Sequence, residues 1–133
     1  MGTPIWQASG TAAVDIQINL DQASIGWFTL TAISASDGPT DLKRIDQQQA
    51  DGDAFFRVTP SSDLLFKLQV LCATAPVAPG AGVWLRAQQN GVVLPCLDTN
   101  ANVMNESGGV YQPIQLGSVV SGQNLTFNFD IWQ

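Results

Sequence analysis

The side chains that could bind or react in this chain are unevenly supplied. It holds eleven acids, ten of them Asp, together with four tryptophans, five basic residues, two cysteines and no histidine. The missing histidine removes the commonest general base, the commonest metal ligand and the usual pH switch together. No Ser-His-Asp or Cys-His arrangement can be built. A glycosidase needs only two carboxylates, one with a raised pKa. Most of the aspartates, however, stand where Asp serves as a turn or cap residue: Asp21, Asp37, Asp41, Asp46, Asp51, Asp53, Asp63 and Asp98. Asp15 and Asp130 alone fall within apparent strands. The expectation is a protein that is not an enzyme.

Calcium favours flexible loops rich in carboxylate and amide oxygens, and two stretches have that texture. IDQQQADGDAFF carries Asp46, Asp51 and Asp53, and DTNANVMNES carries Asp98, Asn100, Asn102, Asn105 and Glu106. Neither follows the EF-hand spacing, so calcium is a possible ligand without a committed metal site. Cys72 and Cys96 are too few for a thiolate zinc site and form no CxxC pair, which leaves a disulfide or two buried thiols. Asn105-Glu106-Ser107 and Asn124-Leu125-Thr126 are sequons, carrying little weight without a signal peptide.

The tryptophans are the more informative residues. In LTFNFDIW, Leu125, Phe127, Phe129 and Ile131 share one parity, while Thr126, Asn128, Asp130 and Trp132 share the other. A strand places these sets on opposite faces of a sheet. Trp132 therefore falls on the polar face. Trp84 shares parity with Arg86 and Gln88, opposite Val83, Leu85 and Ala87. Trp27 shares parity with Thr29 and Thr31, opposite Phe28, Leu30 and Ala32. Trp6 lies where no parity is defined. A pyranose stacks its C–H face on an indole, and flanking amides, carboxylates and guanidinium groups hydrogen-bond its hydroxyls. The same rings would also suit a subunit interface, where Trp and Arg are enriched. A bulge would reverse parity and return a ring to the core.

The elements that must hold these residues are almost all strands. Val14, Ile16, Ile18 and Leu20 alternate with Asp15, Gln17 and Asn19, and IGWFTLTAIS, DAFFRVTP and the run Leu64–Cys72 follow. LKRIDQQQADGD reads as a polar loop with one helical turn. VWLRAQ and VVLPCL flank Asn90-Gly91, the signature of a tight hairpin turn. VYQPIQL and the terminal strand complete the set. About eight short strands with Gly, Pro and Asn punctuation point to one antiparallel β-sandwich, jelly-roll-like, over residues 1–133. Its core is expected from Val14, Ile16, Ile18, Leu20, Phe28, Leu30, Phe56, Val58, Leu64, Phe66, Leu68, Val70, Leu85, Phe127, Phe129 and Ile131.

Composition narrows the partners. Charged residues are 12% of the chain, about half the usual ~25%. A net charge of −6 with one adjacent basic pair, Lys43-Arg44, argues against nucleic acid and anionic membranes. No window approaches a membrane span and no signal peptide is visible. The compartment stays open, with cytoplasmic synthesis and non-classical release as one route. The expected function is a non-catalytic, lectin-like carbohydrate-binding protein, acidic and homo-oligomeric, with no cofactor. Its ligand site is expected from Trp27, Trp84, Arg86, Gln88, Asn128, Asp130 and Trp132. The alternative is a structural or assembly subunit of a capsid, fibre or surface layer, using the same surface to meet copies of itself.

Overall fold

In the computed structural model the chain is all-β. The structure describes residues 3–20, 26–34, 42–50, 53–60, 64–72, 82–118 and 122–132, and no helix occurs among them. One sheet runs in the order β4 (Leu42–Ala50), β3 (Gly26–Ser34), β6 (Leu64–Cys72), β13 (Asn124–Trp132), β1 (Ile5–Gln7) and β9 (Cys96–Leu97). The second runs β12 (Ile114–Ser118), β7 (Gly82–Gln89), β2 (Val14–Leu20) and β5 (Asp53–Val58), with β8 (Val92–Val93) also pairing β7. A small hairpin of β10 (Glu106–Ser107) and β11 (Val110–Tyr111) stands apart. Eight of these strands have five residues or more; seven fall on segments the sequence marks as strands, the eighth is β4, and VVLPCL divides between β8 and β9 of different sheets. The excess over eight comes from short pieces of two or three residues, too brief to carry a period.

The two sheets are sides of one sandwich. A single apolar cluster joins Val14, Ile16, Ile18, Phe56 and Leu85 of one sheet to Leu30, Phe66, Leu68, Phe129 and Ile131 of the other. Pairing is antiparallel except for β1 beside β13, which is parallel. Connections interlock: β2 and β3 follow each other but lie in different sheets, as do β6 and β7. Nevertheless β2 pairs β7 and β3 pairs β6. Gln89, itself buried, ties the β1–β2 connection down; its Oε1 accepts from the Ser9 N–H (2.8 Å) and its Nε2 donates to the Ala12 carbonyl (2.9 Å).

Most of the expected core is found buried. Phe127 is only partly so, packing against the cluster, and the side chains of Leu20, Phe28 and Leu64 lie outside the described residues. Trp6, fully buried, is the largest addition. It enters on β1, with register partners Ile131 and Cys96, and sits edge-on to Phe129 at 5.7 Å between ring centroids. Three residues give no alternation to read, so the sequence could not assign it a face.

LKRIDQQQA is corrected from loop to strand. It forms β4, nine residues laddered to β3 at the edge of the larger sheet, with a register shift opposite Leu30/Thr31. An edge strand draws its order from backbone pairing on one side, so it needs no apolar alternation, and charge there guards the edge. The Asn90-Gly91 turn is as expected, with φ of 53° and 78°.

Candidate functional site

The outer face of the β12-β7-β2-β5 sheet is built by three alternating strands whose even and odd residues part cleanly. VDIQINL sends Val14, Ile16 and Ile18 inward and leaves Asp15, Gln17 and Asn19 on the outside. DAFFRV buries Ala54, Phe56 and Val58 and exposes Asp53, Phe55 and Arg57. β7 does the same with Trp84, Arg86 and Gln88 outward. Register then assembles rows across the strands. Gln115, Trp84, Asn19 and Asp53 form one; Arg86, Gln17 and Phe55 form the next; Val93, Gln88, Asp15 and Arg57 form a third.

From the first two rows Gln17, Asn19, Asp53, Trp84 and Arg86, joined by Pro113 just before β12, line an open depression of about 480 Å³. Its polar groups hold one another in place. Asp53 accepts from Asn19 Nδ2 through one oxygen and from Gln17 Nε2 through the other, at 3.2 Å. Arg86 Nη2 donates to Gln17 Oε1 at 2.5 Å. With the Gln88 amide turned so that its oxygen faces the guanidinium, that oxygen accepts from Arg86 Nη2 (2.7 Å) and Nε (3.1 Å). Further along, Arg57 Nε donates to Asp15 Oδ1 at 2.7 Å, and this bond with the nearby cation holds the Asp15 carboxyl below its usual range. The face thus presents an indole, two carboxylates, two guanidinium groups and several amides.

The seven residues expected to bind ligand do not meet at one place. Trp84, Arg86 and Gln88 share the face just described. Asn128, Asp130 and Trp132 lie on β13 in the opposite sheet, on its outward parity. Trp27 is on β3 of that same sheet, in register with Leu71, which pairs Asn124; its side chain is outside the described residues. Trp132 is eight residues beyond Asn124, about 27 Å along the strand, so the two tryptophans stand at opposite ends of the sheet. A three-tryptophan platform is therefore corrected to one tryptophan per location. Parity was legible; which strands lie side by side is a non-local fact. Gln17, Asn19, Asp53 and Phe55 were missed for that reason, although the alternation of β2 and β5 already marked them as outward.

Near Trp132, burial raises the Asp130 carboxyl above the ordinary range, and a hydrogen bond from the Trp132 side chain offsets part of that. Trp132 is 36% exposed.

The remaining candidates resolve locally. Asp98 turns its carboxylate onto its own loop, Oδ1 accepting from the Asn100 and Asn102 N–H groups (2.8 and 2.9 Å) and Oδ2 from Asn102 Nδ2 (3.3 Å). Those bonds lower its pKa and surround it with donors, an arrangement for holding a loop rather than a cation. No group of three acids, cysteines or histidines able to hold a metal occurs among the described residues; Asp51 and the Asp46 side chain lie outside them. Asn105, at 4% exposure, is no glycan acceptor as folded: its Oδ1 accepts from the Cys96 N–H (2.8 Å) and its Nδ2 donates to the Leu94 carbonyl (3.0 Å). Cys96 is a free buried thiol whose pKa burial pushes up to about 12. Strand register puts Cys72 more than about 20 Å from it, whereas a disulfide needs Cα atoms within about 7 Å.

Comparison of the chain with protein-family models, with curated proteins and with solved structures finds no match in any of the three. The functional reading therefore rests on the two outer faces. Among the described residues no helix is long and apolar enough to cross a membrane.

Proposed function

We propose that this protein is a non-catalytic carbohydrate-binding protein, and that its ligand lies on the outer face of the β12-β7-β2-β5 sheet. The observation that carries the reading is the depression in which Trp84 stands beside Gln17, Asn19, Asp53 and Arg86. An indole offers a flat apolar surface to the C–H side of a sugar, while carboxylate and amide oxygens accept from hydroxyls and the guanidinium donates to them. The bonds among these side chains hold them in position before ligand arrives, which reduces the ordering cost of binding.

The spacing of the carboxylates supports binding without catalysis. Asp53 pairs with Asn19, four residues along β2 from Asp15, so the two acids are about 14 Å apart along the strand. Glycosidase carboxylates stand ~5–9.5 Å apart, and one is held protonated, whereas Asp15 is shifted the other way.

A glycan array probed with labelled protein, with and without calcium, tests the reading. Sugar-inhibitable binding that Trp84→Ala abolishes, with the melting temperature unchanged, is the expected result. A blank array on folded protein would sink it.

Self-assembly is a second reading, favoured by Trp132. Trp132 is 36% exposed on the opposite face and does not line the Trp84 depression. A flat exposed indole is suited to contact with another copy of the chain.

A further inference from the structure

Beyond Trp84 the same face carries a second depression, of about 420 Å³, lined by Asp15, Phe55, Phe56, Arg57 and Gln88. Its composition repeats the first. Each holds one aromatic ring on the outer face (Trp84 or Phe55), one aspartate (Asp53 or Asp15), one arginine (Arg86 or Arg57) and amide groups. Phe55 is 59% exposed, while the next residue, Phe56, supplies the buried ring. Register makes the two depressions neighbours. Phe55 lies in the row of Arg86 and Gln17, two strands over from Trp84 and one pleat further along. The Cα atoms of Trp84 and Phe55 are thus about 12 Å apart, a span longer than one sugar ring. Arg86 bridges the two halves, bonded to Gln17 on one side and Gln88 on the other. Two aspartates and two arginines leave the face with no net charge.

We infer that the two depressions are tandem subsites for a neutral oligosaccharide, one sugar unit on Trp84 and a later unit of the same chain on Phe55. This rests on the carbohydrate reading above and adds the ligand's length and charge to it. A monosaccharide would fill only the Trp84 half. An anionic chain would meet Asp15 and Asp53 at both subsites and gain nothing over a neutral one.

The test is titration calorimetry with ladders of one to six units of neutral oligosaccharides, in the gluco, manno, xylo, galacto and N-acetylglucosamine series. Affinity should rise by about tenfold between one unit and three and then level off, the size of gain one additional stacked ring provides. Phe55→Ala should leave monosaccharide affinity unchanged and remove that gain, and Trp84→Ala should remove binding at every length. Phe55 is exposed enough for the variant to fold, and Arg57→Gln, in the same subsite, should also reduce the gain. If chain length has no effect on the parent protein, or if both variants keep the full gain, the tandem-subsite inference is wrong. If the parent binds no ladder at any length, the carbohydrate reading itself falls.

Discussion

At the scale of single residues, Asp130 makes a statement about stability and pH. Burial makes its ionised form costly, and the Trp132 hydrogen bond offsets only part of this. A carboxyl whose folded pKa is raised keeps its contribution at low pH and loses it as pH climbs through the folded value. Asp130→Asn removes the ionisation while keeping an acceptor for the indole. The variant should melt higher than the parent at pH 7, and the difference should shrink as the pH is lowered toward the ordinary aspartate range near 3.8. Melting curves across pH 3–8 check this, and a difference independent of pH would show that ionisation is not its source. Asn105 shows the opposite treatment of a buried polar group. Both halves of its amide are paired, so it substitutes for a piece of strand between Cys96 and Leu94.

At the scale of elements, β1 and β13 close the larger sheet together. β13 is laddered on both sides, to β6 and to β1, and carries buried Phe129 and Ile131. A chain ending at Asn124 loses both ladders and should no longer melt cooperatively; circular dichroism on heating reads this directly. β1 is only three residues long, yet its Trp6 packs on Phe129, which stacks in turn on Phe66 at 5.6 Å. Trp6→Ala should therefore cost about 3–5 kcal/mol, as expected for a large buried aromatic. The Trp6 indole N–H has no hydrogen-bond partner. A buried donor left unpaired costs roughly 1–3 kcal/mol, so Trp6→Phe, which loses volume but also that donor, should destabilise far less. Denaturant midpoints of the two variants separate these effects. At an edge of the smaller sheet, Gly117 of β12 lies where any side chain would strike the Phe127 ring, so the two sheets approach closely there.

At the scale of the whole molecule, the sandwich separates half-buried Trp84 from exposed Trp132. Trp84 and Trp132 stand on outer faces of different sheets, whose inner surfaces are packed ~10 Å apart. Sites so far apart, sharing no partners, should behave additively. Trp84→Ala should abolish glycan binding and leave the mass from light scattering unchanged. Trp132→Ala should lower that mass and leave glycan binding intact. The low charge of the surface makes self-association easier, because little repulsion opposes it.

Alternation alone was enough for the sequence to determine an all-β sandwich and to sort most residues into inward and outward sets. A pleated strand sends successive side chains to opposite faces whatever its neighbours are, so VDIQINL and DAFFRV were readable in isolation. Elements without that period were not. β1 is too short to show one, and LKRIDQQQA takes its strand form from the edge of β3. Only the tertiary structure decided which outward residues share a surface. It set Asp53 and Phe55 beside Asn19 and Gln17, and those beside Trp84 and Arg86, while Trp27 and Trp132 belong to strands of the other sheet. That choice is made by pairing between strands distant in the chain. Such pairing depends on how all the inward faces pack at once, so no local stretch of sequence contains it.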